Sequence, residues 1–398
     1  MMGSRPRTVV MGGSLGGLTA ALTLRDAGCE VEVYERSRTP LVGQGAGIVL
    51  HPVTVRYFTE NAILDISRAS VTARWVRYMG RAGDIIDEKR CPYRFSSFNA
   101  LYQGLLDCFD ADRYHLGEAI VSFEQDDDGV NIQCASGRNE RADLLVCADG
   151  IRSTARRRLQ PDAALEYAGY IAWRGTVDEA ELGSNLFSFL RDAITYHIMP
   201  DGHFLTYPIP VVDGASGLVH PCINWLWYRN IPKGPELDDL VTDRDGVARE
   251  ASVSPGMVQE RHRAQLLADA AALLPPPLAE VTRGTARPFI QLIFDCAVSR
   301  MAFGRVCLIG DAAFVARPHA AAGSAKAAED AWKLSEAIKE ANGDVVTALR
   351  SWEAGQLLLG QQVLARTREA GRRFQDGTWP VGAALSFGLY TVGDSTMS

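Results

Sequence analysis

The chain has no apolar run long enough to cross a bilayer. Its best, Val381 to Val392, is short and broken by glycines, so no membrane span is expected. The start, Met1-Met2-Gly3-Ser4-Arg5-Pro6-Arg7, lacks the apolar core and cleavage site of a signal peptide and runs straight into a strand and a glycine turn. A cytoplasmic protein is expected. A basic excess is missing too. The 41 Lys and Arg stand against 48 Asp and Glu, a net charge of −7, which argues against nucleic acid and against an anionic membrane as partner. None of the eight cysteines forms a C-x-x-C pair, so neither a zinc nor a redox motif is present, and no metal is expected. Cys147 in Leu-Leu-Val-Cys and Cys307 in Val-Cys-Leu-Ile read as buried reduced thiols. Internal repeats and low-complexity segments are absent.

What remains is an ordinary globular composition, 47% hydrophobic and 22% charged, on a chain of 398 residues, more than one compact core holds. Thr8 to Met11 reads as a buried strand, Leu15 to Ala27 as a helix stopped by Gly28, and Glu30 to Tyr34 as a second strand. This β-α-β unit sets the class as α/β. Two blocks, Val71 to Lys89 and Glu166 to Arg229, are rich in β-branched and aromatic residues, with turn signals such as Pro200-Asp201-Gly202, and predict an antiparallel sheet. A helix near Leu101 to Asp110 and strands at Ala119 to Glu124, Val130 to Ala135 and Leu144 to Cys147 lie between them. A helix near Val258 to Leu274, a strand at Arg305 to Ile309 and helices at Ser324 to Ala341 and Val345 to Phe374 follow. The expected fold is mixed α/β (α+β): a discontinuous Rossmann-like nucleotide-binding domain (1–70, 98–165, 286–342), an inserted antiparallel sheet domain for substrate (71–97, 166–285) and a C-terminal helical segment (343–398).

Gly12-Gly13-Ser14-Leu15-Gly16-Gly17 stands between strand and helix, where a dinucleotide fingerprint belongs. Gly12 permits the tight turn and Gly17 close packing of helix on strand. The amides around Ser14, Leu15 and Gly16 open the helix and suit a pyrophosphate. Ser14 replaces the middle glycine, but it is small and its hydroxyl can donate. Glu35 ends the second strand about 20 residues on, with Arg36 after it, and its carboxylate suits ribose hydroxyls. A plain glycine turn with a solvated Glu35–Arg36 pair is the other reading. This motif alone does not separate FAD from NAD.

Two more motifs follow buried strands: Cys147-Ala148-Asp149-Gly150-Ile151-Arg152-Ser153 and Leu308-Ile309-Gly310-Asp311-Ala312-Ala313. With all three in this order, the chain resembles the flavoprotein aromatic hydroxylases, the family of para-hydroxybenzoate hydroxylase, over nearly its whole length. The resemblance implies a tight, non-covalent FAD. It implies that Asp311 contacts the ribityl and pyrophosphate region, alongside a helix-cap role. It gives Asp149 and Arg152 a place between FAD and the nicotinamide cofactor. The family's P-x-x-G-x-G-x-N loop is matched by Pro318 and Gly323 in Pro318-His319-Ala320-Ala321-Ala322-Gly323-Ser324-Ala325. Ala321 stands for its first glycine and Ala325 for its asparagine. Backbone donors of Ala321, Ala322, Gly323 and Ser324 survive these changes and would meet the flavin pyrimidine carbonyl. In Gly43-Gln44-Gly45-Ala46-Gly47-Ile48, the backbone at Gly45 and Ala46 would approach the isoalloxazine, with His51 close by. An arginine that many relatives place before the helix near Leu101 is replaced by Phe98 or Asn99.

Arg317-Pro318-His319, Ala172-Trp173-Arg174-Gly175 and Trp227-Tyr228-Arg229-Asn230 resemble the branch of that family acting on dihydroxylated pyridines. This implies NADH as transient reductant, molecular oxygen as co-substrate and a small, electron-rich aromatic as substrate. No second G-x-G-x-x-G follows a strand, consistent with a nicotinamide cofactor that only visits. Candidate walls are Tyr196, Phe204, Tyr207, Trp225 and Trp227, with Tyr207 favoured and Pro318 on the flavin side. Candidate bases are His220, favoured, then His51 and His319. A reductase or dehydrogenase of the same fold that inserts no oxygen is the alternative. The run Leu357-Leu358-Leu359 suits either a cover for the FAD domain or a homodimer contact.

Overall fold

The computed structural model describes residues 5–41, 47–63, 65–212 and 219–395. Five parallel strands form the first sheet, in the spatial order Val306–Leu308, Leu144–Cys147, Arg7–Met11, Glu30–Glu35 and Tyr114–Leu116. Ala302–Phe303 adds an antiparallel edge. The inner strands are nearly continuous apolar runs because both faces of a parallel sheet are covered. Val9, Val10, Val33, Leu145, Val146 and Cys307 are all buried. The helices Leu15–Asp26 and Gly323–Glu340 pack against each other on this sheet. Three motifs therefore share one rim, because the turns after Met11, Cys147 and Leu308 all leave the same end of a parallel sheet.

A second, larger sheet carries the β-rich blocks. Its central order is Phe289–Ala297, Glu166–Val177, Val219–Asn230, Gly202–Val212, Ala193–Met199, Val71–Met79 and Ile85–Ser97. Pairing is antiparallel as the sequence predicts, with one exception: Ala193–Met199 runs parallel to Val71–Met79. The connection between those two strands passes through the first sheet, so no hairpin forces them antiparallel. Alternation sorts the side chains. Tyr170, Ala172, Leu205, Tyr207, Leu226 and Tyr228 share one core with the C-terminal tail, while Phe204, Trp225 and Trp227 belong to another core with helices Glu260–Leu273 and Pro276–Arg283.

The helix Val345–Gln375 links the layers, about 46 Å long at 1.5 Å per residue. Asp344 caps its start through the amides of Val346 and Thr347, and near its end Gln375 Nε2 donates to Asn230 Oδ1 of the large sheet at 2.7 Å. The tail beyond folds back onto that sheet. Trp379 Nε1 donates to Tyr78 Oη at 3.0 Å, and Leu385, Phe387 and Leu389 are buried. No helix among the described residues is long and apolar enough to cross a membrane.

Phe204 is fully buried and stacks on Trp225 at 5.4 Å. Truncating it leaves a void between sheet and helices. Phe204→Ala is expected to cost about 3–5 kcal/mol in denaturant unfolding. Val121→Ala, at a half-exposed position, should stay within about 0.5 kcal/mol.

Candidate active site

The rim of the parallel sheet and one face of the large sheet enclose a cavity of about 400 Å³. On the rim side, Gly12 has φ +102°, and a Cβ there would sit 2.5 Å from the Ala148 carbonyl oxygen. A Cβ on Gly17 would run into the Gly12 carbonyl. Both positions are closed to any side chain, and the helix starts tight against its strand. Ser14 is its N-cap but makes no side-chain cap bond, so the first-turn amides keep their donors. Ser14, Leu15 and Gly16 line the cavity. Glu35 does not. It is buried behind the turn, with Oε2 accepting from Gly13 N at 2.8 Å and Oε1 from Ser37 N at 2.8 Å. Arg36 is exposed beside it.

At the second motif, Ala148 and Gly150 reach the cavity wall and Asp149 stands behind them. Asp149 Oδ2 caps the helix Thr154–Leu159 by accepting from Thr154 N at 2.6 Å, while its buried Oδ1 has no partner. Arg152 lies away from the cavity, paired at the surface with Glu250 at 2.7 Å. A residue the sequence reading passes over ties the motifs together. Arg156 is buried and donates to the carbonyls of Ile151 at 2.5 Å, Asp311 at 3.0 Å and Ala312 at 3.1 Å. The run Arg156-Arg157-Arg158 looks like a solvated face, and only the Ser153 cap hints that its first member turns inward.

Asp311 opens onto the cavity. Enclosure by protein pushes its carboxyl up to about 6, partly offset by Arg156. The turn that presents it is fixed by Asp330, whose Oδ2 accepts from Gly310 N at 2.9 Å and whose Oδ1 accepts from Lys326 Nζ at 2.5 Å. Both side chains of this pair are buried. Burial raises the Asp330 carboxyl, and Lys326 and the Gly310 amide oppose that.

The Pro318 loop forms the cavity's third edge. Pro318–Ala320 makes one 3₁₀ turn, Ala321 is left-handed at φ 52° and ψ 27°, and the helix begins at Gly323 with no side-chain cap. Pro318, Ala321, Ala322, Gly323 and Ser324 all line the cavity. His51 does not. Its ring is buried behind the loop and its Nε2 donates to the Ala321 carbonyl at 2.9 Å, so Nε2 carries the proton. Burial lowers its pKa and keeps it neutral. His51 thus braces the strained residue, and a role as base is corrected. Gly45 and Ala46 lie outside the described residues.

The large sheet supplies the opposite wall. Arg174, Tyr196, His203, Leu205, Tyr207 and Tyr228 line it, with Phe387 of the tail closing one side. Tyr207 is where the sequence placed it. Phe204, Trp225 and Trp227 are not wall residues: they occupy the opposite parity of the same strands and face the back core. His220 is a further correction. It lies far down its strand, outside the cavity, with a half-exposed side chain 3.8 Å from Asp178. His203, missed in the sequence, shares Tyr207's parity four residues earlier, and that was its available signal. His319 is buried, its pKa lowered to about 3 by burial and by Arg317, with Nε2 2.8 Å from Tyr170 Oη. His203 is lowered as well, by burial first and His319 second.

Family models for an FAD binding domain match residues 291–367, and for an FAD binding domain-like unit residues 167–295. The chain is 37% identical to a 2,6-dihydroxypyridine 3-monooxygenase of Paenarthrobacter nicotinovorans over 98% of both chains. A 3-amino-4-hydroxybenzoate 2-monooxygenase of Streptomyces platensis is 30% identical over 93% of this chain and 89% of its own. Among solved structures, 2,6-dihydroxypyridine-3-hydroxylase from Arthrobacter nicotinovorans superposes with a TM-score of 0.92 at 37% identity, covering 98% of each chain. The residues present fit an FAD: two helix N-termini without side-chain caps, a turn closed to side chains at Gly12, and a carboxylate opening onto the cavity between them.

Two outcomes follow from these contacts. Asp330→Ala strands the buried Lys326 charge and the Gly310 amide, and should cost about 3–5 kcal/mol in urea unfolding of the flavin-stripped protein. Asp330→Asn keeps an acceptor for Gly310 and should lose less. For Asp311, the folded carboxyl titrates above its unfolded value of 3.8. Its contribution is therefore present below 3.8 and is lost as pH rises through about 6. The stability of flavin-stripped wild type relative to Asp311→Asn should fall across that window, and a flat difference would contradict the environment described.

Proposed function

Since the chain belongs to the FAD-binding aromatic monooxygenases, we propose that it hydroxylates 2,6-dihydroxypyridine to 2,3,6-trihydroxypyridine, using NADH and molecular oxygen, as a step of nicotine degradation. The observation that carries this is a cavity with a dinucleotide cradle on one side and a wall of tyrosines and an arginine on the other. The identity to the dihydroxypyridine enzyme across 98% of the chain supports the substrate. Bound FAD, reduced by NADH, supplies the oxygen-activating chemistry.

The chain's own residues divide the remaining work. The backbone at Gly12, Ser14, Leu15 and Gly16 would hold the diphosphate, with Glu35 fixing the Gly13 amide from behind the turn and Arg36 exposed beside it. Asp311 would stand along the middle of the cofactor, and Asp149 would hold the Ala148–Gly150 turn from behind. The amides of Ala321, Ala322, Gly323 and Ser324 would meet the flavin ring, with Pro318 facing it. Tyr207, Tyr228 and Leu205 orient the substrate ring, and Phe387 keeps water out. His51 acts on the cofactor only through Ala321. NADH docks transiently. The enzyme is read as cytoplasmic and homodimeric, with Leu358, 55% exposed on the long helix, as a candidate contact.

NADH oxidation by the purified yellow protein is the test, with and without 2,6-dihydroxypyridine and with the product weighed by mass spectrometry. Strong stimulation with one oxygen atom added is expected. Stimulation without added oxygen would favour the reductase alternative or a related substrate. No stimulation by a protein that retains flavin would discard this substrate.

A further inference from the structure

The cavity's charges do not balance on the substrate side. Its lining holds two guanidinium groups, Arg174 and Arg317, and one carboxylate, Asp311, which belongs to the cofactor rim. Arg317 is neutralised: its Nε and Nη2 donate to Asp295 at 2.8–3.2 Å. Arg174 is not. Among the described residues no carboxylate lies within ion-pair distance of it. Nη1 donates to Gln291 Oε1 at 2.5 Å, and the buried Nε has no partner. A guanidinium keeps its charge at any pH the protein survives. Leaving one in a cleft without a counter-ion is costly unless something else brings the negative charge.

The groups facing Arg174 are all neutral. Leu226 lies directly across the strand pair, Tyr228 is two residues along that same partner strand, and Tyr207 stands one strand further on. Gln291 and the Phe289 ring, its centroid 5.7 Å away, close the other side. His203 stacks on Tyr228 at 4.6 Å. Burial raises both tyrosine hydroxyls, although Arg174 pulls them back, so they remain donors. Burial holds His203 and His319 as feeble bases. The wall therefore offers a cation and two hydroxyl donors, and no group able to take a proton from an aromatic hydroxyl.

We propose that Arg174 is the specificity-determining residue of the substrate wall and that the aromatic ring binds as a preformed monoanion, its charge set against Arg174. This rests on the hydroxylase reading and deepens it. The hydroxyl proton is lost to bulk water before binding, so no protein base is needed to activate the ring. The bound anion supplies the counter-charge that the fold withholds.

Equilibrium binding to the oxidised holoenzyme, followed through the flavin absorbance without NADH, tests this. The probes are 2,6-dihydroxypyridine, 4-nitrophenol and resorcinol, three hydroxyaromatics that ionise at different pH. In wild type the pH midpoint of affinity should move with each ligand's own ionisation. One shared midpoint for all ligands would report a protein group and overturn the inference. Arg174→Gln should weaken binding of an anionic ligand roughly 30-fold, the loss of one charged hydrogen-bonding partner. Neutral resorcinol at pH 7 should change by less than about 3-fold, and Arg174→Lys should recover part of the loss. Equal weakening of charged and neutral ligands would also overturn it. Should Arg174→Gln fail to retain flavin, the wild-type midpoints decide alone. If 4-nitrophenolate binds with this behaviour and 2,6-dihydroxypyridine does not bind, the substrate reading fails while the anion inference stands. If no ligand shows a midpoint following its own ionisation, the inference falls.

Discussion

The site depends on a carboxylate that never reaches it. Asp330 lies in the helix Gly323–Glu340 with no solvent contact, and it holds the Gly310 amide with one oxygen and the Lys326 ammonium with the other. A buried ion pair is a poor source of net stability, since desolvation consumes most of the attraction. What it contributes is position. The helix that bears Asp330 also begins with the Pro318-loop amides at Gly323 and Ser324, so one rigid element sets both the Gly310–Asp311 turn and the loop facing it. Trp352 Nε1 donates to the Asp330 carbonyl at 3.0 Å and carries the same constraint into the long helix.

Arg156 completes that frame from the other side. It binds the Ile151, Asp311 and Ala312 carbonyls, so the second and third motifs are fixed relative to each other by one guanidinium fork. Against this rigid rim stands a wall whose character is decided by strand parity. One face of the large sheet presents tyrosines and Arg174, and the other presents the tryptophans to a dry core. The left-handed Ala321, braced by neutral His51, is the point where rim and wall come closest to strain. A non-glycine residue in that region costs about 1–3 kcal/mol and persists only where surroundings hold it.

The β-α-β unit and the three glycine-bearing motifs were legible because each is local: a tight turn directly follows a strand in consecutive residues. The three turns they mark do meet on one rim of the parallel sheet. The wall was only partly legible. Tyr207 followed from its strand, and parity along that strand also gives His203 and Leu205. Parity does not cross to the neighbouring strand without the register, and Tyr207 pairs with Asn224, which turns Trp225 and Trp227 away and Leu226 and Tyr228 inward. His220 failed by distance along the strand, since each residue advances about 3.3 Å. Arg156, Lys326 and Asp330 were unreadable for another reason. Charged residues on helices look solvated, and only the tertiary packing says which of them turn inward. Phe387 lies in a tail with no periodic signal at all.

That tail has a consequence for how the protein is made. Ser14 and Phe387 face the same cavity from opposite ends of the sequence. During synthesis, at about 5–20 residues per second, the cradle motifs emerge long before the segment that shuts the cavity. The nascent chain therefore carries an open, tyrosine-lined cleft until the segment around Phe387 has followed. Closure of the cavity is thus ordered after the cradle in synthesis, because the two sides of one site are encoded far apart.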